Sequence, residues 1–93
     1  MKLYYTSRAK FDLESAFFWY ENQQRGLGMK FLDSIEKSTK LILDFPEMFR
    51  IIYLSFRRCV ILNFPFSIFY TIEEDSIIIH AIFNNRQDPN KLP

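Results

Sequence analysis

Five cations gather in the C-terminal half of the chain: Arg50, Arg57, Arg58, Arg86 and Lys91. Three or four of them brought together would suit a phosphate, which guanidinium forks hold through paired, charge-assisted hydrogen bonds. Otherwise these side chains are solvated or pair with Glu47 and Asp88, with little effect on stability. Arg57 and Arg58 are neighbours in a run with a two-residue period. Alternation sends them to opposite faces, so only one can serve a given site.

Groups able to move protons are scarce. His80 is the single histidine and lies in an isoleucine-rich run, alternating with Ile78 and Ile82. A base exposed on an open sheet face is one reading; a structural residue with a satisfied hydrogen bond is the one we favour. Cys59 sits between Arg58 and Val60 in mid-strand. A reactive thiol needs a neighbouring base and an open position, so we read Cys59 as a small core residue. No second His or Cys stands at ligand spacing, and no metal site is expected. Gly26-Leu27-Gly28 follows a helical pattern and lacks the longer glycine spacing of a phosphate loop; its expected job is a turn. Glu73-Glu74-Asp75 reads as a solvated hairpin turn. No cofactor is implied.

The elements that must position these groups follow from periodicity. Leu3 to Thr6 is a short β-rich run, with Ser7 after it as the expected N-cap. Ala9, Leu13, Ala16, Phe17 and Tyr20 then recur on one helical face until Gly26. A second helix is expected from Leu27-Gly28, with Phe31, Ile35, Thr39 and Ile42 on one face, until Phe45-Pro46 stops it. From Phe49 the period becomes two. Strands are expected over Phe49–Leu54, Arg57–Phe64, Phe66–Ile72 and Ser76–Phe83, with Pro65 marking an edge or bulge. The polar tail from Asn84 should be irregular, with room for one helical turn. The fold class is therefore α+β: an N-terminal strand, then an antiparallel helical hairpin packed on one face of an antiparallel meander sheet. The helices can cover only one face, which leaves the other for a partner or substrate.

Bulk properties narrow the class. The 93 residues suit one domain spanning 1–93. A net charge of +1, from 12 basic and 11 acidic residues, excludes a strongly cationic nucleic-acid binder. Eleven Phe, five Tyr and one Trp supply large apolar areas to a short chain and leave some for a partner. A single cysteine rules out an internal disulfide and points to a reducing, cytoplasmic setting. No stretch approaches a membrane span, and no membrane partner is expected.

Four segments taken together resemble the RelE/ParE toxin superfamily, especially its plasmid-stabilisation branch. They are Ala16-Phe17-Phe18-Trp19-Tyr20-Glu21; Gly26-Leu27-Gly28 with Phe31-Leu32; Phe45-Pro46 with Phe56-Arg57-Arg58; and Asn63 to Tyr70, followed by Ala81-Ile82-Phe83 and Arg86-Gln87-Asp88-Pro89. Their order spans almost the whole chain, and the combination rather than any one piece carries the likeness. The resemblance implies a small bacterial toxin of a type II toxin–antitoxin system, one that inhibits growth and is neutralised by a cognate antitoxin protein. It also implies one of two mechanisms. Some members cut mRNA on the ribosome; others act on DNA gyrase and have no known catalytic residues.

The residues divide these possibilities. Arg57 or Arg58 matches the family's arginine on the central strand, and Arg86 matches the one after the last strand. A nuclease would draw on these, with Tyr70 or His80 moving protons and Arg50 and Lys91 adding charge near the phosphate. Yet Asn84 stands where the ribonucleases commonly carry His, Gln87 stands where a second Arg is common, and the tail has no Tyr. An amide cannot exchange a proton near neutral pH. The expectation is a toxin that binds its target, with gyrase as the precedent. A ribosome-dependent mRNA endonuclease and a non-toxic antitoxin-binding module are the alternatives.

Overall fold

The computed structural model describes all 93 residues. In chain order the elements are β1 (Lys2–Tyr5), α1 (Ser7–Gln23), α2 (Leu27–Asp44), β2 (Ile51–Tyr53), β3 (Phe56–Val60), β4 (Phe66–Glu73) and β5 (Ser76–Asn84), then a 3₁₀ turn over Pro89–Lys91. The expected class is observed: two helices lie on one face of a single sheet. The sheet is mixed rather than a pure meander. Its order is β1-β5-β4-β3-β2, and β1 joins β5 in parallel.

Thr6, not Ser7, caps α1; its hydroxyl accepts from the Ala9 backbone N–H at 3.1 Å. The same hydroxyl donates to the His80 carbonyl at 3.2 Å, so the cap also ties the helix to β5. The α1–α2 turn is built around Gly26, whose φ of 88° lies in the left-handed region that glycine enters freely. Both Glu21 carboxylate oxygens accept from the Gly26 N–H, and one also accepts from the Gly28 N–H at 3.0 Å. The end of α1 thereby satisfies orphan donors at the start of α2.

The helix face of the sheet carries the core. Phe31, Ile35 and Ile42 of α2 and Ala9 and Ala16 of α1 meet Cys59, Ile68, Tyr70, Ile77 and Ile79. Each fully buried Ile or Phe contributes roughly 1.5–3 kcal/mol by leaving water. Tyr20 stacks on Phe31 at 5.3 Å and meets Phe64 and Phe66 edge-on. That aromatic knot joins both helices to the β3–β4 loop.

Two strands are shorter than their apolar runs. β3 ends at Val60, because Asn63 turns the chain with a φ of 69° and the Phe66 N–H bonds back to the Phe64 carbonyl. β2 keeps only three residues and pairs irregularly with β3. β5 carries a bulge: Phe69 opposes Ala81 and Tyr70 opposes Ile79, leaving His80 as the extra residue. Ile82 therefore returns to the helix-face core, while Ala81 and Phe83 pack with Phe69 on the opposite face. His80 does not alternate with Ile82 as the sequence pattern implied.

The face opposite the helices is only partly open. Leu92 of the tail packs on the Phe69, Ala81 and Phe83 cluster. A hydrogen bond from Arg8 to the Lys91 carbonyl ties the tail back to α1. Past Tyr5, β5 has no neighbour on the β1 side. Asp12 of α1 fills the gap, accepting from the Ile82 N–H at 3.1 Å. Burial raises the Asp12 pKa above the ordinary carboxylate range, against the opposing pull of that N–H and of Arg8. No helix is long and apolar enough to cross a membrane.

Candidate functional site

Arg57 and Arg58 point to opposite faces of β3, as alternation requires, and their surroundings differ. Arg57 reaches under the loop before β2 and donates to the Phe49 carbonyl at 2.7 Å and the Glu47 carbonyl at 3.1 Å. Arg58 lies on the face opposite the helices. Its Nε donates to Ser67 Oγ at 2.9 Å and its Nη2 to Asn85 Oδ1 at 3.1 Å. Ser67 Oγ donates to the same Asn85 oxygen at 2.6 Å. The guanidinium carbon stands 6.0 Å from the Phe69 ring centre, at the outer reach of a cation–π contact. Arg58 is thus exposed, oriented and free of any carboxylate partner.

The other cations do not join it in one cluster. Arg86 occupies the turn after β5 and lines a depression with Trp19, Tyr20 and Pro65 against α1. It is close enough to Tyr20 to oppose the upward shift that burial gives that phenol. Arg50 is exposed just before β2, and its carbonyl accepts the Arg58 backbone N–H. Lys91 is exposed in the 3₁₀ turn. The phosphate cradle expected from Arg57, Arg58 and Arg86 is divided among three surroundings.

Tyr70 is 0% exposed and belongs to the core. Its hydroxyl donates to the Pro46 carbonyl at 2.6 Å. Burial pushes its pKa up to about 12, despite the nearby Arg57 charge. A substrate cannot reach a group so placed without opening the fold.

His80 is half-buried on the face opposite the helices, with Phe56 edge-on at 4.9 Å. Its Nε2 lies 2.8 Å from Thr71 Oγ1, and that hydroxyl donates to Glu73 Oε2 at 2.8 Å. The hydroxyl has one proton and gives it to Glu73, so the network assigns a proton to His80 Nε2. Burial lowers the His80 pKa, and Glu73 only partly offsets this. His80 therefore stands as a neutral donor near pH 7, and its Nε2 has no lone pair for a substrate.

Cys59 is buried, and burial pushes its thiol pKa up, away from the reactive thiolate. No group of three or more His, Cys, Asp and Glu side chains is placed to hold a metal ion. Sequence reasoning missed the residues that orient the candidates: Ser67 and Asn85 around Arg58, and Thr71 and Glu73 around His80. Cross-strand pairing was the only available signal for them, since Ser67 and Phe69 flank Arg58 on the neighbouring strand.

Two helices on one face of a mixed five-stranded sheet, with an arginine held on the other face, define a class of small α+β proteins found among toxins. The profile of the ParE toxin of the type II toxin–antitoxin system parDE matches residues 3–89, and the chain belongs to that family. Among solved structures, the chain is similar to one described as the chromosomal ParDE toxin–antitoxin system from P. aeruginosa. The TM-score is 0.80 at 19% identity, over 90% of this chain and 95% of that one. At that identity the likeness speaks to the fold alone. No curated protein sequence matches the chain.

Proposed function

We propose that the chain is a toxin that acts by binding an essential target, DNA gyrase by family precedent, and that a cognate antitoxin neutralises it. The observation that carries this reading is the state of the proton-transfer candidates. Tyr70 is sealed in the core on the Pro46 carbonyl, and His80 spends Nε2 on Thr71. Acid–base cleavage of RNA needs both a donor and an acceptor within reach of the reacting oxygens. Arg58 remains as an oriented cation on an accessible face, which suits recognition more than catalysis. A supercoiling assay with purified gyrase tests it: inhibition that the antitoxin relieves is the expected result. Unchanged supercoiling at high toxin excess rejects gyrase as the target.

A second reading, a ribosome-dependent mRNA endonuclease, draws on Arg58 and His80 sharing one sheet face. Arg58 would hold the phosphate, and His80 Nδ1 would be the free basic nitrogen. Electrostatic stabilisation supports some catalysis once the ribosome positions the RNA. Primer extension on mRNA from induced cells separates the readings, since new cleavage ends within coding regions belong only to this one.

A further inference from the structure

Between α1 and the end of β5 runs a groove that neither reading uses. Two depressions of about 230 Å³ each compose it, and they share Ala16, Phe66 and Asn84 as a common floor. Phe11 and Trp19 stand along the helical wall, 70% and 59% exposed. Eight residues of helix separate them by about 12 Å. About four residues of extended chain cover that distance.

The hydrogen-bonding capacity of this groove is one-sided. Trp19 Nε1–H, the Asn84 amide nitrogen and the Arg86 guanidinium are donors with no acceptor inside the chain. The acceptors beside them are largely spent. Asp12 takes the Ile82 N–H and faces Arg8 at 3.6 Å, while Asn84 Oδ1 takes the Arg86 backbone N–H at 2.9 Å. Arg86 has no carboxylate within ion-pair distance; the chain's ion pairs are Arg8–Asp12 and His80–Glu73. An apolar floor, surplus donors and one unpaired guanidinium call for a ligand with a carboxylate, backbone carbonyls and an apolar side chain. A nucleic acid fits poorly. Its binding rests on several phosphate contacts, and here one free guanidinium lies in a groove that also holds the Asp12 carboxylate.

Resting on the toxin–antitoxin reading above, we propose that this groove receives an extended acidic segment of the antitoxin. A carboxylate of that segment pairs with Arg86, an apolar side chain lies against Trp19 over Ala16 and Phe66, and a backbone carbonyl takes the Asn84 amide. Trp and Arg are the side chains that most often dominate binding energy at an interface, and here they share one depression.

Trp19 is the chain's single tryptophan, so its emission reports on the groove. The probe is the product of the short reading frame beside this gene, with any tryptophan of its own replaced by phenylalanine. On complex formation Trp19 emission should shift to the blue and lose access to iodide. Arg86→Glu, an exposed change checked for folding by circular dichroism, should weaken the complex at least tenfold, and Arg86→Lys less. Leu41→Ser on the exposed side of α2 should leave the affinity unchanged. A complex in which Trp19 stays as quenchable as before and Arg86→Glu binds as tightly overturns the groove and leaves the toxin–antitoxin reading standing. No complex with the unaltered chain overturns both.

Discussion

Gly28 lies against Phe17 so closely that a Cβ on it would stand 2.8 Å from the Phe17 carbonyl oxygen and 2.9 Å from the ring. That approach brings α1 onto α2, and no side chain fits between them. In an isolated helix alanine is better than glycine by about 1 kcal/mol. Here the clash includes backbone, which cannot swing aside, and overpacking of this kind costs about 1–3 kcal/mol. Gly28→Ala is therefore expected to lower the melting temperature by several degrees. A variant as stable as the parent in urea would show that the hairpin accommodates the methyl group.

Glu21 is expected to matter as much as a side chain of the core. Its carboxylate satisfies two backbone donors at the start of α2, and no other side chain caps that end. Glu21→Ala should cost about 1–2 kcal/mol, the loss typical of a helix cap. Glu21→Gln retains an acceptor and should lose about half of that. Equilibrium unfolding of the three proteins gives the ranking, and equal stability of all three would remove Glu21 from the account.

These two contacts mark where the sequence was legible and where it was not. The limits of α2 are local: Gly26 opens it and Phe45-Pro46 closes it, so its span was readable. The cap of α1 was displaced by one residue because Thr6 also reaches His80, seventy-four positions away. No local pattern encodes such a contact. The parallel pairing of β1 with β5 is equally non-local. The bulge at His80 defeated alternation, since Ile78, His80 and Ile82 look evenly spaced along the chain. At the site, the opposed faces of Arg57 and Arg58 followed from the two-residue period. The scattering of the cations did not, because it depends on where the β2 loop and the tail fold back.

Tyr70 predicts behaviour in alkali. Its pKa in the folded chain is pushed up to about 12, above the roughly 10 of an unfolded tyrosine. The folded state then binds the proton more tightly than the unfolded state. Its contribution is fully present below pH 10 and is lost as pH rises through 12. Tyr70→Phe should remove this loss from the stability profile between those values. It should also cost about 1–2 kcal/mol at neutral pH, because the Pro46 carbonyl loses its donor. A Tyr70→Phe profile parallel to the parent's above pH 10 would count against the assignment.

His80 predicts the opposite slope in mild acid. Its folded pKa lies below the ordinary value of 6.5, with burial as the main cause. As pH falls through 6.5 the unfolded chain takes up a proton first, so stability present above that pH is lost on the way down to the folded pKa. Thermal melts between pH 7.5 and 5.5 should show this decline, and His80→Gln should flatten it. The histidine ring-proton resonance gives an independent reading; a midpoint above 6.5 would mean that Glu73 outweighs burial. Asp12, with its raised pKa, acts in the other direction and in a lower window, above the ordinary carboxylate value.

Arg57 and Arg58 should separate stability from action. Arg57 donates to two carbonyls of the chain that leads into β2, so Arg57→Ala leaves both without their charged donor. A loss of about 1–3 kcal/mol is expected, and Arg57→Lys should recover little, because an ammonium cannot reproduce the planar fork. Arg58 is exposed, and its partners Ser67 and Asn85 still bond to each other when it is removed. Arg58→Ala should therefore unfold close to the parent's midpoint. If Arg58 is the oriented contact for the target, the same change should weaken growth inhibition on expression without antitoxin. Full toxicity in Arg58→Ala at equal protein level would remove that residue from the target-facing surface, and a large loss of stability would make it a structural arginine like its neighbour.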